Sequence, residues 1–217
     1  MQGDEAGAIL VLDTCGERSS VALFVGHQLV AEVLLPERTA SSSLLGAVRE
    51  ILLTAGIKLS ELSGVGVVNG PGSFTGLRVG LAVVKGLCEA GELPVGAVSR
   101  LQVLAESAGP GTEIAVLRAG RDEVYVREQK DPDDALERMI SADVFLTMAA
   151  GRQVAYAEDS LAYLLAGTQS HRVELSARHG FAAVKQSLRT GGSDLSSLDA
   201  NYVRDEQAIY SHNKVSV

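Results

Sequence analysis

A mixed α/β fold is predicted for this chain by three features of its first half. Three strand-like runs follow one another across turns too short for a crossover. Two further apolar strands each lead into a helix-patterned segment. A glycine-rich turn, NGPGSFTGLRVG (Asn69 to Gly80), joins the first of those strands to its helix.

The elements follow in order. AILVL (Ala8 to Leu12) is a short strand of the buried type, and a polar turn at Gly16 to Arg18 leads into SSVALFV (Ser19 to Val25). Gly26 and His27 reverse the chain into QLVAEVLL (Gln28 to Leu35), which completes an antiparallel meander. A helix is predicted from Ser41 to Ala55, its serine cluster placed to cap the start. Leu44, Leu45, Val48, Ile51 and Leu52 share one face of it. GVGVV (Gly64 to Val68) is a strand, LRVGLAVVKGLCEAG (Leu77 to Gly91) a helix and PVGAV (Pro94 to Val98) a strand. A third helix is predicted near Ser99 to Ala108. The order β-β-β-α-β-α-β-α specifies a mixed sheet with helices on its faces.

SAGPGT (Ser107 to Thr112) reads as a linker and divides a first domain, 8–106, from a second, 112–217. Beyond it, EIAVL (Glu113 to Leu117) and EVYVREQ (Glu123 to Gln129) read as strands, then an acidic turn with Asp131, Asp133 and Asp134. DVFLTMAA, DSLAYLLAG and HGFAAVKQSL have helical patterns, and QVAYA and HRVEL are strand-like. No internal repeat is visible.

The totals narrow the function. With 217 residues, 46% apolar and 21% charged, the chain has an ordinary globular composition. No apolar run reaches the ~20 residues of a membrane span. The acidic, polar start MQGDEAGA does not read as a signal peptide, and Cys15 and Cys88 lack CxxC spacing. A cytoplasmic protein with reduced thiols is expected. A net charge of −8 with scattered Lys and Arg argues against unaided binding of nucleic acid. Aromatic residues at 4%, with no tryptophan, argue against a base-stacking platform.

The glycine loop suits a phosphate cradle at first sight. Gly70, Gly72 and Gly76 give G-x-G-x-x-x-G rather than the dinucleotide fingerprint, and Leu77-Arg78 stand where a P-loop needs G-K-[ST]. Weak anion contact by Gly72, Ser73 and Thr75 at a helix start stays open, with Asp13 as a carboxylate at the first strand's end. The competing reading is a tight turn in which Ser73 or Thr75 caps the helix and Asp13 forms its own turn.

The helix that follows is more telling. Gly76, Gly80, Val83, Val84 and Leu87 fall on one side, while Ala82, Gly86 and Ala90 form a small-residue stripe on another. Arg78, Lys85 and Glu89 are its only charges, so it should be covered on two sides, one of them by another helix or another protein. Glycine within a helix costs about 1 kcal/mol relative to alanine, so Gly80 and Gly86 point to a packing demand. His27, His171, His179 and His212 form no metal-ligand spacing, and no G-x-S-x-G elbow is present. No metal site and no cofactor is expected.

LDT near the N-terminus, SVAL, GPGSFTGLRVG, EVY (Glu123 to Tyr125) and YVR (Tyr202 to Arg204) together resemble the TsaB (YeaZ) family, which acts in making threonylcarbamoyladenosine on tRNA. The likeness is strong over 8–105 and thinner beyond. It implies a two-lobed, actin-like or sugar-kinase-like (ribonuclease H-like) fold with a reduced second lobe. It also implies a non-catalytic partner subunit of a TsaD-like catalytic protein, assisted by a TsaE-like ATPase, with tRNA reached only through the complex. The partner surface implied is a bundle of the first lobe's two main helices, carried here by Leu44, Leu45, Val48, Leu77, Gly80, Leu81 and Val84. The resemblance also implies that two copies can pair through the same surface when the partner is absent. An older peptidase label in the family has no support in the histidines here. The chain departs from the family at Ala40-Ser41, where a His-Ser pair is usual, and at Arg118 to Arg121, where D-A-R is often found. A free-standing ATP-binding phosphotransferase of the same fold is the rival reading. A peptidase is the least supported.

Overall fold

The computed structural model describes residues 7–37, 39–129 and 136–203. The turn at Asp131, Asp133 and Asp134, together with Arg204 and His212, lies outside the described residues. Two compact units are present, 1–100 with 175–200 and 101–174 with 201–217.

In the first unit β1 (Ala8–Asp13), β2 (Ser20–Val25) and β3 (Gln28–Leu34) form the expected meander. β4 (Leu62–Val68) and β5 (Val95–Val98) extend the sheet on the other side of β1 in parallel, in the order β3-β2-β1-β4-β5. Helices α1 (Ala40–Ala55) and α2 (Phe74–Gly91) connect these strands and pack together. β1 is buried along its whole length, as a strand covered on both faces must be.

The serines do not cap α1. Its N-cap is Thr39, and Ser42 Oγ instead donates back to Thr39 O at 3.1 Å. α2 starts three residues earlier than expected. There Ser73 is the cap, with Gly76 N donating to its Oγ at 3.2 Å.

The second covering of the first sheet comes from late in the chain. α5 (Phe181–Arg189) packs on β4, β5 and β1, and a 3-10 turn at Ala177–Gly180 lies on β1 to β4. The sequence pattern had put all of 112–217 in the second domain; 175–200 belongs to the first unit instead. Strand glycines are the physical reason. Alternation points Gly64 and Gly66 of β4 to one face and Val65 and Val67 to the other. A Cβ on Gly64 would stand 2.8 Å from Leu188 Cδ1, and one on Gly66 would overlap the methyls of Val184. Gly96 of β5 is tight but less crowded, with Val184 O at 3.0 Å. Phe181 stacks on Phe24 with centroids 3.9 Å apart, and Ala177 N donates to Ser20 Oγ at 2.8 Å.

The second unit contains β6 (Ile114–Arg118), β7 (Glu123–Glu128), β8 (Glu137–Ser141), α4 (Ala142–Ala149), β9 (Gln153–Tyr156) and β10 (Gln169–Arg172). α3 (Arg100–Ser107) runs from the last residue of the first unit into the second, so the boundary precedes the expected linker. The sheet order, β8-β7-β6-β9-β10, repeats that of the first unit strand for strand. Two antiparallel pairings are followed by two parallel ones in both sheets. This repeat of topology leaves no mark in the sequence pattern. Its core is Ile114, Val116, Val124, Val126, Phe145, Val154, Leu161 and Leu165. β8 was not foreseen; its ERMIS sequence is held to β7 by Arg127–Glu137 at 3.1 Å and by an Arg138–Glu128 pair. DSLAYLLAG is no helix. It forms a 3-10 turn at Asp159–Leu161 and further tight turns that bury Leu161 and Leu165.

If the strand glycines exist to admit α5, Gly66→Ala should destabilise the chain by about 1–3 kcal/mol, the usual cost of overpacking. Denaturant unfolding of Gly66→Ala, Val184→Ala and the double variant checks this. The two should couple by more than ~0.5 kcal/mol, because the smaller Val184 side chain makes room for the added methyl.

Candidate functional site

β1 and β4 are parallel and end side by side, with Asp13 opposite Val68. Ligands of open α/β sheets bind beyond such carboxyl ends, so this is where a phosphate site would be built. Here the space is filled by the chain itself. Asp13 is 3% exposed, and its Oδ1 accepts from Cys15 N at 2.9 Å, which closes its own turn. Cys15 Sγ donates to Val68 O at 2.9 Å, and Ser73 N donates to Cys15 O at 2.8 Å. Thr14 Oγ1 donates to Gly76 O at 2.7 Å.

The loop glycines serve this contact. A Cβ on Gly72 would overlap Cys15 O, and one on Gly76 would overlap Thr14 O. One on Gly80, a turn further along α2, would overlap Thr14 Oγ1. Gly70 alone among the three loop glycines takes a positive φ, 109°. The glycines therefore let the start of α2 lie directly on the turn after β1. Gly72, Ser73 and Thr75 are exposed at the helix start, while Asp13 is buried and spent on its turn.

Both thiols are buried. Burial, and next the charge of Asp13, pushes the Cys15 thiol well above its usual range. Burial alone pushes Cys88 up to about 11. Neither is a ready nucleophile near neutral pH.

The seven residues expected at a partner surface divide by burial on the two helices. Leu44 and Val48 of α1 and Leu77, Gly80, Leu81 and Val84 of α2 are buried within the folded chain. These six hold the helices to the rest of the chain and are not open to a second protein. The demand behind Gly80 is internal, met by Thr14. Leu45 is the exception among the expected residues, at 62% exposed, since a ~100° step from Leu44 turns it away from the sheet. Leu53 (68%) and Phe74 (55%) join it as exposed apolar side chains. Ala82, Gly86 and Ala90 are exposed along α2, and a Cβ on Gly86 would meet nothing within 4 Å. Arg78 lies over the Phe74 ring at 3.8 Å, and Arg49 is exposed on α1.

Sequence reasoning had singled out the Ala82–Gly86–Ala90 stripe but not Leu53 or Phe74. Leu53 carried a signal, standing two positions past Ile51 and so off the buried stripe. The remaining motif residues have local roles. Tyr125 of β7 has its phenol pushed up by burial and then by Glu123. Arg118 Nη1 donates to Ser160 O at 3.3 Å and its Nη2 to Arg121 O at 3.2 Å, bracing the turn after β6. His27 Nε2 lies 2.9 Å from Lys185 Nζ, and His179 Nδ1 accepts from Ser176 N at 3.0 Å. Among the described residues no three His, Cys, Asp or Glu side chains are grouped to hold a metal ion. No described helix is long and apolar enough to cross a membrane.

The TsaD family, described as tRNA N6-adenosine threonylcarbamoyltransferase, matches residues 34–190. The "tRNA threonylcarbamoyladenosine biosynthesis protein TsaB" of Escherichia coli K12 is 34% identical over 132 residues, 59% of this chain and 57% of that protein. The protein of the same name from Haemophilus influenzae is 35% identical over 133 residues, 58% and 56% of the two chains. The matched stretch thus spans a little over half the length of these curated relatives. A solved structure from Pseudomonas aeruginosa, described as an uncharacterized protein with similarity to the peptidase YeaZ, superposes with a TM-score of 0.76 at 27% identity. It covers 91% of this chain and 100% of that one. A second structure, YeaZ from the same organism, gives 0.73 and 27%, covering 90% and 99%.

The seat of α2 is testable without any partner. Gly76→Ala should cost about 3 kcal/mol or more in denaturant unfolding, because the atom it meets is backbone and cannot rotate away. Gly86→Ala, which meets open space, should instead stabilise α2 by up to about 1 kcal/mol.

Proposed function

This chain belongs to the TsaD (tRNA N6-adenosine threonylcarbamoyltransferase) family and stands there with the TsaB (YeaZ) proteins, and we propose that it is a non-catalytic subunit of tRNA threonylcarbamoyladenosine synthesis. On this reading it binds a TsaD-type catalytic subunit, a TsaE-type ATPase completes the set, and tRNA meets the chain only within that complex. Two copies pair through the same face when the catalytic subunit is absent. The work is cytoplasmic.

The observation that carries the reading is the outer face of α1 and α2. Leu45, Leu53, Phe74, Ala82, Gly86 and Ala90 are exposed on two helices that pack together. Small residues let a facing helix come close, and the larger apolar side chains supply area to bury. The exposed charges beside these residues, Arg49 and Arg78 with Glu50 and Glu89, are of both signs, so charge can set the register of a partner. The phosphotransferase reading needs a free carboxylate at the end of β1, and Asp13 is engaged with Cys15 N.

The full-length chain and its own organism's TsaD-type subunit should form a 1:1 complex, read by calorimetry and size exclusion. Gly86→Arg and Leu53→Asp should each weaken it about 100-fold or more, as for residues at an interface centre, without lowering the melting temperature. Full-strength binding by both variants would remove this face from the account. Magnesium-ATP turnover by the isolated chain would favour the phosphotransferase.

A further inference from the structure

β5 ends the first sheet, and the chain returns to close it. Along β5, Pro94 O bonds to β4 through Val65 N at 3.0 Å, so Val95 O and Ala97 N point to the open side. One residue meets both. Ser193 N donates to Val95 O at 2.7 Å, and Ala97 N donates to Ser193 Oγ at 3.3 Å. Gly191 and Gly192 carry the chain there from α5 with φ of 109° and 72°. A Cβ on Gly192 would stand 2.8 Å from Val95 O, so this approach also requires glycine.

The same segment then reaches the glycine turn. Asp194 accepts from Ser196 N at 3.2 Å and from Ser196 Oγ at 2.7 Å, which holds its carboxyl below the usual range and tightens the bend. Leu198 and Ala200 are buried. Asn69 Nδ2 donates to Asp199 O at 3.2 Å, while Asn69 N continues the β4–β5 ladder to Val98 O at 3.0 Å. Asn69 is the first residue of the turn that launches α2.

We infer that residues 190–200 are an intramolecular strap that closes the free edge of β5 and, through Asn69, steadies the turn from which α2 starts. An open edge strand is a template for pairing with another chain, and the strap occupies that position. Release of the strap would free the edge and loosen the turn together, whatever docks on α2.

Hydrogen exchange on the full-length chain tests this with two variants. Ser193→Pro removes the donor to Val95 O and the acceptor for Ala97 N. It should speed exchange about fivefold or more at Ala97 and in residues 69–73, with β1 unchanged. Asn69→Ala should speed exchange in residues 194–200 by a similar factor while Ala97 keeps its protection. Acceleration confined to Ala97 in the first variant would overturn the coupling. Unchanged exchange of 194–200 in the second would overturn it independently, including where Ser193→Pro fails to fold.

Discussion

Thr14 fills the space left by the missing side chains of Gly76 and Gly80, and that contact sets where α2 lies on the first sheet. At Gly76 backbone meets backbone, so that contact cannot yield by rotating a side chain; at Gly80 the Thr14 side chain fills the gap. The turn after β1 is itself fixed, by Asp13 holding Cys15 N and by the Cys15 thiol holding Val68 O. Once α2 is seated, α1 packs beside it, and the side chains that face away from the sheet are decided by helical geometry alone. The outer face with Gly86 and Leu53 is therefore a consequence of the glycine loop, which itself contributes Phe74 and Arg78 to it.

The same device recurs across the sheet. Gly64, Gly66 and Gly96 lower the surface of β4 and β5 so that Val184 and Leu188 of α5 can sink into it. Gly192 brings the strap onto β5 in the same way. Glycine is costly in a strand, where it packs nothing and loses the most entropy on folding. Each of these positions recovers that cost through the close approach of another element. The first sheet, α5 and the strap are thus one packing unit, and the chain must return from residue 175 onward to complete it.

Much of the first unit was legible because its strands and helices have patterns that burial enforces over consecutive residues. The runs at Ala8, Ser19 and Gln28 and the near-absence of a polar face on α2 were visible for that reason. What escaped was non-local. The partners that admit α5 lie some hundred residues before it, and no window of sequence contains both. β8 escaped because ERMIS is an edge strand with little apolar content, held by charges on β7. The proposed docking face was half legible. Spacing singled out the two helices that carry it and the Gly86 stripe. It could not tell that Gly80, Leu81 and Val84 would face inward, because that choice rests with Thr14 and the sheet. The misses of the nucleotide fingerprints were informative from the start, since the glycines are spaced for a turn and a seat.

The central claim is that the outer face of α1 and α2 meets a TsaD-type subunit. A nitroxide label tests it most directly, because Cys15 and Cys88 are buried and an introduced surface thiol reacts selectively. The label is placed at Ala82→Cys on α2 and, as a control, at Tyr163→Cys, a 93% exposed position in the second unit. Addition of one equivalent of the catalytic subunit should immobilise the label at position 82 and leave that at 163 mobile. Immobilisation at 163 with unchanged motion at 82 would contradict the account.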